Sequence, residues 1–292
     1  MRIARMQKHA QTKHPVGRIR DLDTLPPLGR QAQRLLSALG DPELDTVKLV
    51  ALLRQSPALA ARILGIARSA FFAGTLPPRD LEDAVIRFLG LRLVRDLAIA
   101  FTLASPLRTD QCGAFQSLRY WRHALLTASL AESLANGARI PNVDQAYLSG
   151  LLHSLGLLAL VHVAPAQMHR AFLELNRTGH PPLSTLEQEQ VGLDHCAAGR
   201  LLAEAWGLPP EIADVMAFHR DIHYRGRHRE LVLLTALAER QCAETDSGLP
   251  QAEEALKLLL EELGISPSNW PRLLGRWLPS AQRITELAGQ FQ

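Results

Sequence analysis

The sequence of 292 residues predicts an all-α protein, and its composition and its patterning both support this fold class. Leu, Ala, Arg, Glu and Gln dominate the chain, and these residues lose little conformational freedom in a helix. Runs of alternating Val, Ile, Thr and aromatic residues, which are typical of strands, are absent from the sequence. We therefore expect helices along almost the whole chain.

Proline and glycine divide the first part of the chain into short predicted helices. The first helix follows Leu25-Pro26-Pro27-Leu28 and is stopped by Gly40-Asp41-Pro42, because proline cannot continue a helix. Ser56-Pro57 predicts the start of another helix, since serine is a good N-cap and proline is favoured at the first helical position. The five helices expected up to residue 105 are joined by short loops and predict a compact bundle.

The second half contains longer and more apolar predicted helices. A long helix should end at Asn136-Gly137. The most apolar stretch of the chain, residues 147–160, is shorter than the roughly 20 residues that a membrane span needs, which predicts a helix buried in a core. Ser184-Thr185-Leu186-Glu187 matches a capping box and predicts one helix that runs through His195 to Trp206.

Charge and composition suggest four segments. We expect a basic flexible arm at 1–21, an N-terminal helical subdomain at 22–108, a second helical bundle at 109–245 and a C-terminal helical extension at 246–292. The arm carries six Lys or Arg residues before its first acid, Asp21. We interpret it as a solvated segment, and contact with nucleic acid is expected, if anywhere, only through residues 1–20.

The expected location of such a chain is the cytoplasm. No secretory signal is recognised in the first twenty residues, and no membrane span is predicted. Cys112, Cys196 and Cys242 lie far apart and match no zinc spacing, so we interpret them as free thiols.

Four histidines are the candidate functional residues: His123, His153, His195 and His219. Each falls on a different predicted helix, among apolar residues. A single histidine of this kind is most often a core residue with satisfied hydrogen bonds. Four of them on separate helices suggest a metal site, because helical bundles build such sites from facing helices. Sequence spacing alone does not show that they converge.

Several ordered motifs in the second half resemble the HD superfamily of metal-dependent phosphohydrolases. These motifs are Trp121-Arg122-His123-Ala124, Gly150-Leu151-Leu152-His153-Ser154-Leu155-Gly156, Gly192-Leu193-Asp194-His195-Cys196-Ala197-Ala198-Gly199 and Trp206-Gly207-Leu208-Pro209-Pro210-Glu211-Ile212.

Motifs in the first half narrow this resemblance to the HDOD family, the HD-related output domain. They are Leu25-Pro26-Pro27-Leu28, Gln55-Ser56-Pro57-Ala58-Leu59-Ala60-Ala61-Arg62-Ile63-Leu64, Arg68-Ser69-Ala70-Phe71-Phe72 and Leu81-Glu82-Asp83-Ala84-Val85-Ile86-Arg87-Phe88-Leu89-Gly90. The resemblance implies a bacterial signal-transduction protein in which an N-terminal helical bundle packs beside a degenerate HD-type bundle.

The chain departs from the active HD pattern at both of its aspartates. Ser154 follows His153 where the pattern has an aspartate, and the late aspartate would fall near Ala236. A pair of divalent cations in a buried site needs bridging carboxylates to balance its charge. We assign no catalytic residue and expect no cofactor, with a single zinc ion on the four histidines as the alternative. Glu187 and Asp194 are the nearest carboxylates in sequence, and with Ser154 they complete the candidate pocket.

Two functions therefore stay open. The first is a non-catalytic regulatory module that binds a signalling protein, with room for a small ligand in the vestigial pocket. The second is a metal-dependent phosphohydrolase or phosphodiesterase acting on a nucleotide or a cyclic dinucleotide. The sequence names neither the partner nor the oligomeric state, and a homo-oligomer is compatible with it.

Overall fold

The computed structural model describes residues 25–68, 77–140, 145–247 and 253–288, and every regular element within these ranges is helical. The predicted all-α fold class is thus confirmed. The basic arm lies outside the described residues, as does most of the Arg68-Ser69-Ala70-Phe71-Phe72 motif. The division into four segments stays a prediction.

The first helices form a layer in which α1 and α3 pack on α5. Asp80 caps α4, because its side chain accepts a hydrogen bond from the Asp83 amide. The helices are α1 (Arg30–Leu39), α2 (Thr46–Arg54), α3 (Pro57–Ala67), α4 (Leu81–Asp83, continued by the π-helical turn Ala84–Leu89) and α5 (Leu91–Ala104).

The second set of helices surrounds the apolar stretch, with α7 packed on α6 and α8 packed on α11. Gly150 allows the first approach, since a Cβ atom there would lie 2.6 Å from the Cα atom of Ala128. The helices are α6 (Ser117–Ala138), α7 (Ala146–Leu152), α8 (Leu155–Val163), α9 (Pro165–Thr178), α10 (Leu183–Val191), α11 (His195–Trp206), α12 (Pro210–Phe218) and α13 (Arg229–Ser247).

Three local predictions in this region are wrong. The apolar stretch is two helices rather than one, because a turn at His153 and Ser154 separates α7 from α8. The capping box is absent, since the residue before α10 is Pro182 and Glu187 is directed elsewhere. A break with left-handed Gly192 then separates α10 from α11, and Asp194 caps α11 by accepting from the Ala197 amide.

The last two helices dock on the second bundle. They are α14 (Glu253–Glu262), which packs on α13, and α15 (Trp270–Ala288), which packs on α6. The indole of Trp277 donates a hydrogen bond to the Ser129 hydroxyl of α6 at 3.3 Å. Arg225 reaches Glu262 at 2.7 Å, so the basic loop after α12 also binds this C-terminal part.

One window, Ala146–Val163, is long and apolar enough to cross a membrane by length and composition. Its mean hydropathy is 1.6, and 78% of it is buried inside the protein. The core helices of a globular protein pass the same test, and the wrapping of α7 and α8 by α6, α11 and α13 accounts for its apolar character.

Candidate functional site: a buried histidine cluster

The fold brings all four predicted histidines together. His153 lies 5.4 Å from His123 and 4.9 Å from His219, and His219 lies 5.5 Å from His195, measured between ring centroids. His153, His195 and His219 are buried, and His123 is half-buried. The cluster joins α6, the end of α7, the start of α11 and the end of α12.

Two of these rings are fixed by backbone carbonyls of their own helices. Nδ1 of His153 donates to the Gly150 carbonyl at 2.7 Å, and Nδ1 of His219 donates to the Val215 carbonyl at 3.0 Å. Burial, followed by the neighbouring histidines, lowers the pKa of both His153 and His219 well below the usual value. Both rings are therefore neutral and keep Nε2 as a lone-pair donor.

His195 has a different partner, because Glu187 binds it twice. One carboxylate oxygen accepts from Nδ1 of His195 at 2.6 Å and from its backbone amide at 2.9 Å. Burial alone lowers the pKa of His195, but the Glu187 carboxylate and the contact with Cys196 outweigh it, and the pKa lies well above the usual value. The other Glu187 oxygen is buried and has no hydrogen-bond partner among the residues that the structure describes.

The two positions that lack the HD aspartates are occupied by groups that carry no charge. Ser154 is 6% exposed, and its hydroxyl lies beside the Tyr120 side chain. Ala236 is fully buried on α13. Asp194 lies next to His195 in sequence, but its carboxylate caps α11 and is not aimed at the rings.

Sequence reasoning missed Glu239, a carboxylate close to the cluster. It lies three residues after Ala236 and therefore on the same face of α13. Burial opposes its ionisation, but Arg220, at 3.6 Å, and the neighbouring His219, His123 and His195 lower its pKa below the usual value. A search for carboxylates one helical turn away from Ala236 would have identified Glu239 from the sequence.

Cys196 was also missed, because the expectation rested on cysteine spacing rather than on cysteine beside histidine. Its sulfur lies 3.8 Å from Nε2 and 3.9 Å from Nδ1 of His219. One ligand atom each of His195, Cys196 and His219 lies within 4.8 Å of the others. Cys196 is a free thiol, as predicted, and the fold places it beside His219.

The donor set fits a single soft cation better than a pair of hard ones. Imidazoles whose Nδ1 is held by a carbonyl or a carboxylate are typical of metal ligands, and a thiol suits zinc. Tetrahedral zinc with Zn–N distances of about 2.0–2.1 Å puts ring centroids about 5 Å apart, close to the spacing seen here. A bridged pair lacks its carboxylates at Ser154 and Ala236, so these residues do not fit a binuclear centre of the HD type.

A family model and one curated relative match most of the chain. The model of the HDOD domain matches residues 25–222. An uncharacterized protein of Treponema pallidum (strain Nichols) is 26% identical over 274 residues, which are 91% of this chain and 51% of that protein. The chain thus spans about half the length of this curated relative.

Solved structures with the same fold cover almost the whole chain. A protein of Marinobacter aquaeolei VT8, provisionally described as a signal transduction protein, has a TM-score of 0.81 and 28% identity over 98% of this chain and 62% of its own. An HDOD domain protein of unknown function from Geobacter sulfurreducens has a TM-score of 0.74 and 22% identity, covering 95% of this chain and 99% of its own. A provisional phosphohydrolase of Shewanella amazonensis SB2B has a TM-score of 0.74 at 23% identity, covering 94% and 97%.

Proposed function

Because this chain belongs to the HDOD family, we propose that it is a non-catalytic, cytoplasmic signal-transduction module that acts by binding a protein partner. The observation that carries the proposal is the charge at the histidine cluster. His153 and His219 are neutral lone-pair donors, while Ser154 and Ala236 stand where a pair of cations would need aspartates.

In this function, the histidine cluster stabilises the fold or holds a ligand. The residues that would hold one soft cation are His195, Cys196 and His219, with His153 beside them. Such an ion supplies Lewis acidity when bound. The side chains themselves orient the rings, exclude water and keep a proton between Glu187 and His195.

One observation favours a second function, a metal-dependent phosphohydrolase that acts on a nucleotide or a cyclic dinucleotide. Glu239 brings an ionised carboxylate to the same cluster, and Arg220 beside it is suited to bind a phosphate. Glu239 is, however, one helical turn from the position of the missing aspartate, and Arg220 already pairs with it.

The deciding experiment measures metal content and turnover of the purified chain together. Nucleoside phosphates and cyclic dinucleotides are offered with added Mn²⁺ or Fe²⁺ to the wild-type protein, His153→Ala and Glu239→Gln. The regulatory proposal predicts no turnover above that of the variants. Stoichiometric metal with turnover that disappears in both variants would replace it by the phosphohydrolase.

Partner binding is tested separately with the intact chain. Partners captured by crosslinking are purified, and their affinity is measured for the wild type and for Glu187→Gln. The proposal predicts a saturable complex with a defined stoichiometry. A chain that forms no such complex and also hydrolyses a nucleotide contradicts it.

A further inference from the structure

A cavity lies where the N-terminal helices meet α6 and α8. Its volume is about 770 Å³, within the range of about 300–1,000 Å³ that small-molecule sites occupy. None of the four clustered histidines lines it. The cavity is thus separate from the histidine cluster, and a ligand bound in it is independent of the proposed function.

The cavity contains one cation with no counter-charge. The guanidinium of Arg62 lies over the Phe101 ring, 5.0 Å from its centroid, and is exposed. Within the residues that the structure describes, it forms no hydrogen bond and no ion pair. The single carboxylate of the lining, Asp110, is bound by Arg108 at 2.8 Å, so it does not neutralise Arg62.

Three helices begin at the wall of this cavity, and none has a side-chain cap. The N-cap residues are Gly29 for α1, Ser56 for α3 and Gln116 for α6. The free amides of a first helical turn have no partner within the helix and carry partial positive charge. These starts add to the positive potential that Arg62 creates.

Much of the remaining wall is apolar, beside polar side chains such as Gln31, Thr102 and Ser105. Leu35, Leu59 and Leu158 come from three different helices, and Phe115 and Trp121 contribute aromatic faces and edges. A free inorganic ion would leave this surface in contact with water. A ligand that fills the cavity therefore needs both a negative charge and an apolar body.

We propose that this cavity binds an organic anion, a molecule with a sulfonate, phosphate or carboxylate group attached to an apolar ring system or chain. The anionic group pairs with the Arg62 guanidinium, which lies over the Phe101 ring. The apolar body lies against the leucines and Phe115. Trp121 precedes His123 by two residues on α6, so the ligand site and the histidine cluster share one helix.

The test uses a pair of probes that share one apolar body. The anionic probe is 1-anilinonaphthalene-8-sulfonate, and the neutral probe is N-phenyl-1-naphthylamine. Fluorescence titration of the intact chain should give one saturable site, with the neutral probe bound about tenfold more weakly. Equal affinity for the two probes would overturn the role of the charge.

Two substitutions locate the site. Arg62→Gln removes the cation, and Ala58→Glu places a carboxylate at the second position of α3, where an acid stabilises the helix but repels an anion. Each should weaken binding of the sulfonate by about tenfold. Thermal unfolding of both variants confirms that they fold, and Ala58→Glu carries the test if Arg62→Gln does not.

Each substitution has a matched control on a neighbouring helix. Arg34→Gln removes an exposed arginine of α1 that does not line the cavity, and Val47→Glu adds a carboxylate at the second position of α2. Both controls should bind the sulfonate within about twofold of the wild type. If the controls weaken binding as much as Arg62→Gln and Ala58→Glu do, the probe binds elsewhere and the proposal is wrong.

Discussion

The two sides of the histidine cluster differ in what holds the imidazole. On one side, His153 and His219 donate to carbonyls of their own helices and are kept neutral. On the other side, His195 donates to the buried carboxylate of Glu187, and its pKa is raised. The pKa values of buried histidines a few ångströms apart are thus shifted in opposite directions. Because these rings share the same burial, the charge of the hydrogen-bond partner decides the direction of the shift.

Removal of Glu187 tests the carboxylate side most directly. Glu187→Ala should lower the free energy of unfolding by about 3–5 kcal/mol, because it breaks a buried pair and leaves the His195 ring and amide without their acceptor. Urea unfolding measures this change. The control is Glu189→Ala, an exposed position of the same helix, which should change stability by less than about 0.5 kcal/mol. Equal effects would mean that the pair does not stabilise the fold.

A methyl group added at Gly156 tests how closely α8 must approach the His195 side. A Cβ atom there would overlap the His195 carbonyl and the Gly199 backbone, so Gly156→Ala should destabilise by about 1–3 kcal/mol. Gly275→Ala is the control, since it lies inside α15 with open space around it and should stabilise by about 0.5–1 kcal/mol. If Gly156→Ala and Gly275→Ala change the free energy of unfolding in the same direction, α8 and α11 are free to separate.

The pH dependence of stability should separate the two sides. The folded pKa of His195 lies above its unfolded value, so its stabilisation is present below about pH 6.5 and is lost as the pH rises through the folded pKa. The folded pKa values of His153 and His219 lie below theirs, so that contribution is present above about pH 6.5 and is lost as the pH falls. Each pKa unit between the two states corresponds to about 1.4 kcal/mol.

Urea unfolding between pH 5 and pH 8 measures the loss of stability toward acid pH and the loss of stability toward alkaline pH. His195→Asn should flatten the decline of stability at alkaline pH, and His153→Asn should flatten the decline at acid pH. Asp96, whose pKa is raised by burial to about 6, contributes equally to all of these proteins and cancels in the differences. If both substitutions flatten the decline of stability on the same side of the pH range, the pKa values of His195 and His153 are not shifted in opposite directions.

The smallest effect is expected for Arg220, which compensates the charge of Glu239 at the edge of the cluster. Arg220→Gln should cost less than about 1 kcal/mol, because its side chain is 37% exposed and water screens the pair. It should also raise the pKa of Glu239, which carboxyl chemical shifts can follow by NMR. Arg200→Gln, in an exposed pair with Glu204, is the control and should leave Glu239 unchanged.

Local chemistry made much of the fold predictable. Ser56-Pro57 marks the start of α3, and Gly40-Asp41-Pro42 marks the end of α1, as the structure has them. The apolar stretch misled us at His153, because the composition of residues 147–160 is helical on both sides of the turn. The Ser184 capping box does not form because the carboxylate of Glu187 accepts hydrogen bonds from the amide and the ring of His195 instead.

The sequence by itself determined the helices, the family and the absence of acids at Ser154 and Ala236, since each depends on residue type and on neighbours a few positions away. Only the tertiary structure decided that four histidines from different helices meet, that Glu187 belongs to His195, and that Glu239 and Cys196 stand beside them. These contacts join residues that are distant in sequence, and their energies depend on burial and distance, which no spacing along the chain records.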